Sequence, residues 1–85
     1  MDHSANHARM IEYLKIEILR DPDAEIASHT PLVSSGMVDS FSLIQVVQEL
    51  EKITSLRIPA SKVAPRDLDT VSQMFATAAR VGTPR

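Results

Sequence analysis

The sequence has 85 residues, enough for one small domain with a single core, and we expect that domain to span residues 1–85. Its hydrophobic residues make up 44% of the chain but include two Phe, one Tyr and no Trp, and Gly is rare, so an aliphatic helical bundle is favoured over an all-β fold. The net charge is −2 and the nine basic residues are scattered, which argues against nucleic-acid binding through a basic surface.

The chain also lacks the features of membrane, disulfide-linked and metal-binding proteins. No apolar run is long enough to span a bilayer, and residues 1–7 have neither the charged nor the apolar region of a signal peptide. We therefore expect a cytoplasmic monomer that does not bind membranes. There is no Cys to form a disulfide or to act as a thiolate nucleophile. His3 and His7 are four residues apart, but without a third ligand nearby we expect no metal site.

The first predicted element is a helix over about Asn6–Leu19. Its apolar residues recur at helical spacing, and charged residues occupy the other side. Pro22 marks its end, because the residue before a proline avoids the helical conformation. Ile16 interrupts the pattern as a lone apolar side chain on the polar side. The predicted core-facing residues are Ile11, Leu14 and Ile18, with Met10 and Tyr13 at the margins of the face.

A long connection follows from Asp21 to Val38. A loop of this length in so small a domain needs its own apolar anchors or a function. The segment Glu25–Ser28 is compatible with a short helical turn, and His29 is expected to be solvated. The predicted anchors are Ile26, Leu32, Val33 and Val38.

The second helix is predicted from Ser40 to about Thr54. Either Asp39 or Ser40 can cap its first free N–H groups. A serine here is most often only a cap, but its hydroxyl is directed away from the core. A phosphate attached to it would meet free N–H groups and the positive end of the helix dipole. The predicted core-facing residues are Leu43, Val46, Val47, Leu50 and Ile53.

Phe41 and Ile44 lie off the core face of this helix, beside Ser40. Two interpretations carry equal weight. In one, exposed apolar residues favour association, and they form a partner-binding surface that Gln45 and Gln48 extend along the helix. In the other, Phe41 folds back over the loop and Ile44 is half covered.

The remaining chain is predicted to hold an extended linker, a short helical segment and a last helix. The linker Leu56–Pro59 carries two apolar anchors, and Ala60–Pro65 is predicted to form a brief turn or short helix. The last helix is predicted over about Val71–Arg80, with Thr70 as its N-cap and Gly82 at its end. We expect the residues after Gly82 to be frayed. The predicted core-facing residues of the last helix are Val71, Met74, Phe75 and Ala78.

Four motifs occur in one register along the chain. They are the approach Leu32 to Val38 with its Gly36, the tripeptide Asp39-Ser40-Phe41, Leu50-Glu51 followed by Ile58-Pro59, and the triplet Asp69-Thr70-Val71. Together they resemble the acyl and peptidyl carrier protein family, in which an Asp-Ser-Leu-like tripeptide at the start of the second helix carries 4′-phosphopantetheine on its serine. The resemblance covers about Leu32–Ala79, with Phe41 in place of the usual Leu.

The resemblance implies an all-α fold, a small bundle of three main helices plus one short helix, with a long first loop. It implies that Ser40 accepts 4′-phosphopantetheine from coenzyme A through a phosphopantetheinyl transferase, which recognises Asp39. The thiol of the attached arm would hold a cargo as a thioester and present it to partner enzymes. The chain itself is therefore not expected to be an enzyme.

The cargo is expected to be an aminoacyl group. The mild net charge, with Gln45 and Gln48 on the second helix, is similar to discrete aminoacyl or D-alanyl carriers, whereas fatty-acid carriers are more acidic there. A separate amino acid ligase would load the arm, and a downstream enzyme would accept the cargo. A fatty-acid or polyketide acyl carrier loaded by an acyl ligase is the alternative. From a different class, an unmodified helical adaptor would bind proteins through Phe41 and Ile44 and use Ser40 only as a cap.

Overall fold

The computed structural model describes residues 3–84, and within them three α-helices pack around one core. The helices are α1 (His3–Tyr13), α2 (Ser42–Thr54) and α3 (Val71–Val81). The long loop before α2 is present as predicted. This confirms the small helical bundle, and no helix within residues 3–84 is both long and apolar enough to cross a membrane.

Shorter elements join the helices. A π-helical turn, Leu14–Ile18, continues α1, and two 3₁₀ turns, Ala60–Lys62 and Pro65–Leu68, lie between α2 and α3. The single predicted short helix therefore corresponds to two short turns. Strands β1 (Leu56–Arg57) and β2 (Thr83–Pro84) form an antiparallel pair.

The first helix ends in a wider turn than the sequence pattern predicts. The Leu19 N–H donates to the Leu14 carbonyl oxygen, five residues back, at 2.8 Å. Arg20 then adopts a positive φ of 53°, which ends the helix before Pro22. A wide turn holds one residue more than an α-turn, so the 3.6-residue spacing fails across it. Ile16 lies within this turn and remains 42% exposed.

Side-chain hydrogen bonds shape the middle of the long loop, and no helical turn forms there. The predicted turn at Glu25–Ser28 is wrong. The Thr30 hydroxyl accepts from the Ala27 N–H at 2.8 Å, and the Thr30 N–H donates to the Ala27 carbonyl oxygen at 3.2 Å. These bonds compete with helix formation. His29 is exposed, as predicted. Of the predicted anchors, Ile26, Leu32 and Val38 are buried and Val33 is half-buried.

A carboxylate from a distant part of the chain fixes the end of this loop. Asp69 Oδ1 accepts from the backbone N–H groups of Leu32, Val33 and Ser34 at 3.1, 2.8 and 2.9 Å. Its Oδ2 accepts from the Ser34 hydroxyl at 2.9 Å. The N–H and hydroxyl of Ser34 contribute most to lowering the pKa of Asp69, so the carboxylate is ionised at neutral pH. We call Asp69 and its four donors on Leu32–Ser34 the Asp69 clamp.

The last helix begins at its predicted cap. The Thr70 hydroxyl accepts from the Gln73 N–H at 3.0 Å, and the Gln73 side-chain oxygen accepts from the Thr70 N–H at 3.2 Å, forming a capping box. The helix runs to Val81, one residue further than predicted, and Gly82 follows in an extended conformation. A side chain at Gly82 would collide with the Ala78 carbonyl oxygen, which accounts for glycine at this position.

The residues after Gly82 are paired, so the prediction that they fray is wrong for the part of the chain that the structure describes. Leu56 lies opposite Pro84 and Arg57 opposite Thr83. Local sequence could not predict this pairing, because it joins two short segments on either side of α3. Arg85 lies outside the described residues.

The core is a continuous aliphatic cluster from all three helices and the loop. Leu43, Val46 and Leu50 form the buried face of α2, as predicted, with Val47 half-buried at its edge. Met10 is fully buried and not marginal, because the buried stripe of the first helix runs from Met10 to Leu14. The fully buried large side chains are Met10, Leu14, Leu32, Val46, Leu50, Leu68, Val71 and Met74.

Leu50 provides a test of this packing. Because its side chain is 0% exposed, Leu50→Ala should lower the free energy of unfolding by about 2–5 kcal/mol, measured by chemical denaturation followed by circular dichroism. Ile44→Ala is the matched control on the exposed side of the same helix and should change that energy by less than about 0.5 kcal/mol. An unchanged denaturation midpoint for Leu50→Ala would contradict the orientation of α2.

Candidate functional site

Ser40 lies in the turn that leads into α2, immediately after the residue that caps it. The Asp39 Oδ1 accepts from the Ser42 N–H at 2.9 Å, the bond that an N-cap makes to the third residue of a helix. Phe41 already has helical dihedral angles, φ −67° and ψ −40°. Of the two candidate caps, the structure therefore uses Asp39. Regular α-helix begins at Ser42, two residues later than predicted.

Asp39 places an exposed negative charge next to Ser40. The Ser42 N–H lowers the pKa of the Asp39 carboxyl most, the Ser42 hydroxyl adds to this effect, and the Phe41 N–H contributes a smaller part. The carboxylate is thus ionised at neutral pH and is held in one orientation by the helix that it caps. Its position next to the positive end of α2 is electrostatically favourable.

The loop delivers Asp39 and Ser40 from a buried anchor. Val38 is buried, and its N–H donates to the Leu32 carbonyl oxygen at 2.9 Å, closing a seven-residue loop. Within it, the Gly36 N–H donates to the Val33 carbonyl oxygen at 3.0 Å. Gly36 has a φ of 83°, which glycine adopts without steric cost. The chain therefore turns sharply and leaves the core at the residue before Asp39.

An apolar groove opens beside Ser40. Its volume is about 370 Å³, and it lies between α2 and the segment from Ile58 to Leu68. Ser40, Ile44 and Gln48 follow one another at helical spacing along the α2 side of the groove. The other lining residues are Leu43, Val47, Glu51, Ile58, Ala60, Val63, Ala64, Pro65 and Leu68. The sequence interpretation did not identify this groove. A signal for it was the occurrence of two small residues, Ala60 and Ala64, between the larger Ile58 and Leu68, because small side chains leave space beside α2.

The apolar residues near Ser40 are open to solvent. Phe41 is 87% exposed and Ile44 is 65% exposed, so the interpretation in which Phe41 folds back over the loop and Ile44 is half covered is wrong. Met37, in the loop, is a third exposed apolar side chain of this region, which the sequence interpretation missed. Gln45 and Gln48 are also exposed on α2.

His7 contacts the loop and α3, and its contacts do not include Ser40. The His7 Nδ1 is 2.9 Å from the Ser28 hydroxyl oxygen, and its ring stacks on Phe75 with centroids 4.9 Å apart. His7 thus ties α1 to the loop and to α3. The side chain of His3, the other member of the histidine pair in the sequence, lies outside the described residues. Among the residues that are described, no group of three potential ligands is arranged for a metal ion.

Comparison with known proteins gives one match. A family model described as a phosphopantetheine attachment site matches residues 11–77 of the 85-residue chain. The matched span contains Ser40, α2, both 3₁₀ turns and much of α3. Searches of curated protein sequences and of solved structures gave no significant match.

The capping bond of Asp39 can be tested by two substitutions. Asp39→Ala should lower the melting temperature, because the Ser42 N–H loses its acceptor. Asp39→Asn should keep a melting temperature close to that of the wild type, since an asparagine oxygen caps about as well. Thermal unfolding followed by circular dichroism at neutral pH measures both. Equal melting temperatures for Asp39→Ala and the wild type would show that the bond contributes nothing to stability.

Proposed function

Because the chain belongs to the phosphopantetheine attachment site family, we propose that Ser40 carries its covalent 4′-phosphopantetheine group, taken from coenzyme A by a phosphopantetheinyl transferase. The observation that carries the assignment is the exposed Ser40 hydroxyl, placed at the start of α2 directly after the capping Asp39. Open solvent on one side and the groove on the other leave room for a long attached group.

The neighbouring hydroxyls are less suitable acceptors because each is already engaged. The Ser34 hydroxyl donates to Asp69 at 2.9 Å, and the Ser35 hydroxyl donates to the Pro31 carbonyl oxygen at 2.6 Å. The Ser42 hydroxyl bonds to Asp39. Among the described residues, the Ser40 hydroxyl has no hydrogen-bond partner. It can therefore enter a transferase active site without breaking a bond within its own domain.

The residues of this chain present the acceptor and leave the chemistry to partner enzymes. When the Ser40 oxygen attacks the phosphorus of coenzyme A that bears the pantetheine, the pyrophosphate bond breaks and adenosine 3′,5′-bisphosphate leaves, and a base must remove the proton of the Ser40 hydroxyl. His7 is bonded to Ser28 and stacked on Phe75, so we assign the base to the transferase. The ionised Asp39 next to Ser40 is the group by which the transferase recognises the site.

We infer an aminoacyl cargo. Once attached, the group supplies a thiol at the end of a flexible arm, on which a carboxylic acid is held as a thioester for partner enzymes. The α2 surface near Ser40 offers the neutral amides of Gln45 and Gln48, and the net charge of the chain is only −2. These features support a weakly charged partner interface, as in aminoacyl carriers loaded by a separate ligase and unloaded by a downstream acceptor enzyme.

The apolar groove favours a second candidate, an acyl cargo from fatty-acid or polyketide synthesis. Its lining would shield an aliphatic chain from water, whereas a short amino acid has little apolar surface to bury. Incubating the modified protein with an amino acid ligase and, separately, with a fatty acyl ligase distinguishes the two. Loading by the amino acid ligase alone supports the first candidate.

Ser40→Ala should abolish modification. Intact mass after incubation with coenzyme A and a phosphopantetheinyl transferase should show one added group on the wild type and none on the variant. Because Asp39 and not Ser40 caps α2, the variant should melt at nearly the wild-type temperature. Modification of Ser40→Ala at Ser35 or Ser42 would contradict the assignment, as would an unmodified wild type.

Asp39→Asn is the matched variant for recognition in the same assay. It retains a capping oxygen but removes the charge, so it should be modified more slowly than the wild type while remaining folded. An unaltered rate would place recognition elsewhere on the surface.

The partner surface is proposed to centre on Phe41 and Ile44, with Gln45 and Gln48 extending it. Interface energy concentrates in a few large side chains, so Phe41→Ala or Ile44→Ala should weaken loading of the modified protein by at least about 1 kcal/mol, more than Gln48→Ala does. Steady-state loading kinetics measure this effect. With a net charge of −2, loading should also depend only weakly on salt.

Helicity and melting temperature serve as the control for these variants. Both side chains are largely exposed, so neither property should change. Wild-type loading by Phe41→Ala and Ile44→Ala would remove them from the partner surface.

A further inference from the structure

We propose that Asp69 is a positioning residue for the modification of Ser40, although the two residues are far apart in sequence and no hydrogen bond joins them. This role rests on the proposed function of Ser40. Asp69 would act through the backbone that leads to Ser40, by holding the loop in the conformation that a transferase binds.

Four hydrogen bonds from the loop converge on the Asp69 side chain. The Asp69 carboxylate accepts three backbone N–H groups and one hydroxyl from Leu32–Ser34. The Asp69 backbone carbonyl accepts from the Leu32 N–H as well, at 2.7 Å. Three consecutive N–H groups without such an acceptor would otherwise need water or another turn, so the carboxylate selects this backbone conformation.

Buried neighbours in the chain hold Asp69 itself in place. It follows the 3₁₀ turn Pro65–Leu68 and precedes the capping residue of α3. Leu68 and Val71, on either side, are almost completely buried. The clamp therefore connects the loop to a segment that is buried in the core on both sides of Asp69.

Backbone hydrogen bonds within the loop connect the clamp to the segment that carries Ser40. The Val38 N–H donates to the Leu32 carbonyl oxygen at 2.9 Å, and Val38 is the residue before Asp39. The Asp69 carboxylate holds Val33 through its N–H, and the Val33 carbonyl oxygen in turn accepts from the Gly36 N–H at 3.0 Å. The bond from the Leu32 N–H to the Asp69 backbone carbonyl does not depend on the side chain. Between Leu32 and Val38 the loop turns at Gly36, whose conformational freedom gives the loop little rigidity of its own.

Loss of the clamp should therefore lower the fraction of molecules whose Asp39-Ser40 segment is correctly placed. If a partner binds only the correctly placed fraction, its apparent affinity for the protein falls in proportion to that fraction. The complex, once formed, reacts at the normal rate. The expected result is a higher KM for the carrier with little change in kcat. A substitution that only destabilises the fold would change neither KM nor kcat when the assay is run well below the melting temperature.

The experiment uses the full chain, coenzyme A and a phosphopantetheinyl transferase, with initial rates from intact mass. Asp69→Ala should raise KM about tenfold with kcat near the wild-type value. Asp69→Asn should give a smaller rise, because its amide oxygen still accepts N–H bonds whereas its NH₂ group cannot accept from the Ser34 hydroxyl. Thr70→Ala is the matched control: it removes the cap of the same helix one residue away and should lower the melting temperature without changing KM.

Amide hydrogen exchange gives a readout independent of the transferase. In Asp69→Ala the N–H groups of Val33 and Ser34 should exchange faster, while those of Val46 and Leu50 keep their protection. An unchanged KM in Asp69→Ala, or an equal rise in Thr70→Ala, would overturn the positioning role. If Asp69→Ala does not fold, a wild-type KM for Asp69→Asn together with faster exchange at Ser34 would also overturn it. A wild type that is never modified at Ser40 would instead overturn the proposed function, and this role with it.

Discussion

The rotation of α2 about its own axis is the constraint on which the rest of the structure depends. Leu43, Val46 and Leu50 form the buried side of the helix. Because the helix has 3.6 residues per turn, the burial of these three fixes which residues lie on the opposite side. Ser40, Ile44 and Gln48 are consequently turned outward along one edge of the groove. The same packing that stabilises the domain thus determines which residues lie next to Ser40, the proposed attachment serine.

The loop before α2 depends on a different kind of interaction. A connection of this length has few backbone partners of its own, and the domain supplies them from side chains: Thr30 within the loop and Asp69 from the start of α3. Its buried residues, Leu32 and Val38, attach it to the core. The core therefore holds the loop on one side and the Asp69 carboxylate holds it on the other. Together they fix the backbone conformation of a segment that has little regular structure and leads to Ser40.

Local features of the sequence predicted the parts of the fold that local physics determines. The apolar period of α2 and α3, the Thr70 cap, the loop anchors and the position of Ser40 before α2 could all be read from neighbouring residues. The features that were not predicted connect distant residues. The Asp69 bonds span 36 residues in the case of Val33, the strand pair spans α3, and the groove arises only when α2 and the 3₁₀ turns are assembled. The choice of Asp39 over Ser40 as cap depended on the dihedral angles of the turn, which the two residue types alone do not determine.

The π turn at Leu14–Ile18 has a consequence for how the length of this chain can vary. A π turn is equivalent to an α-helix into which one residue has been inserted. Deleting one residue there would let the backbone bond four residues back, and because a π turn accommodates its additional residue by widening, the residues beyond the deletion would keep their phase relative to α1. Leu14 and the half-buried Ile18 and Leu19 would then stay on the side of the helix that faces the core. The wide turn therefore preserves the phase between the buried stripe of α1 and the loop that follows despite its additional residue, and a single-residue deletion is better tolerated there than within the regular α-helix.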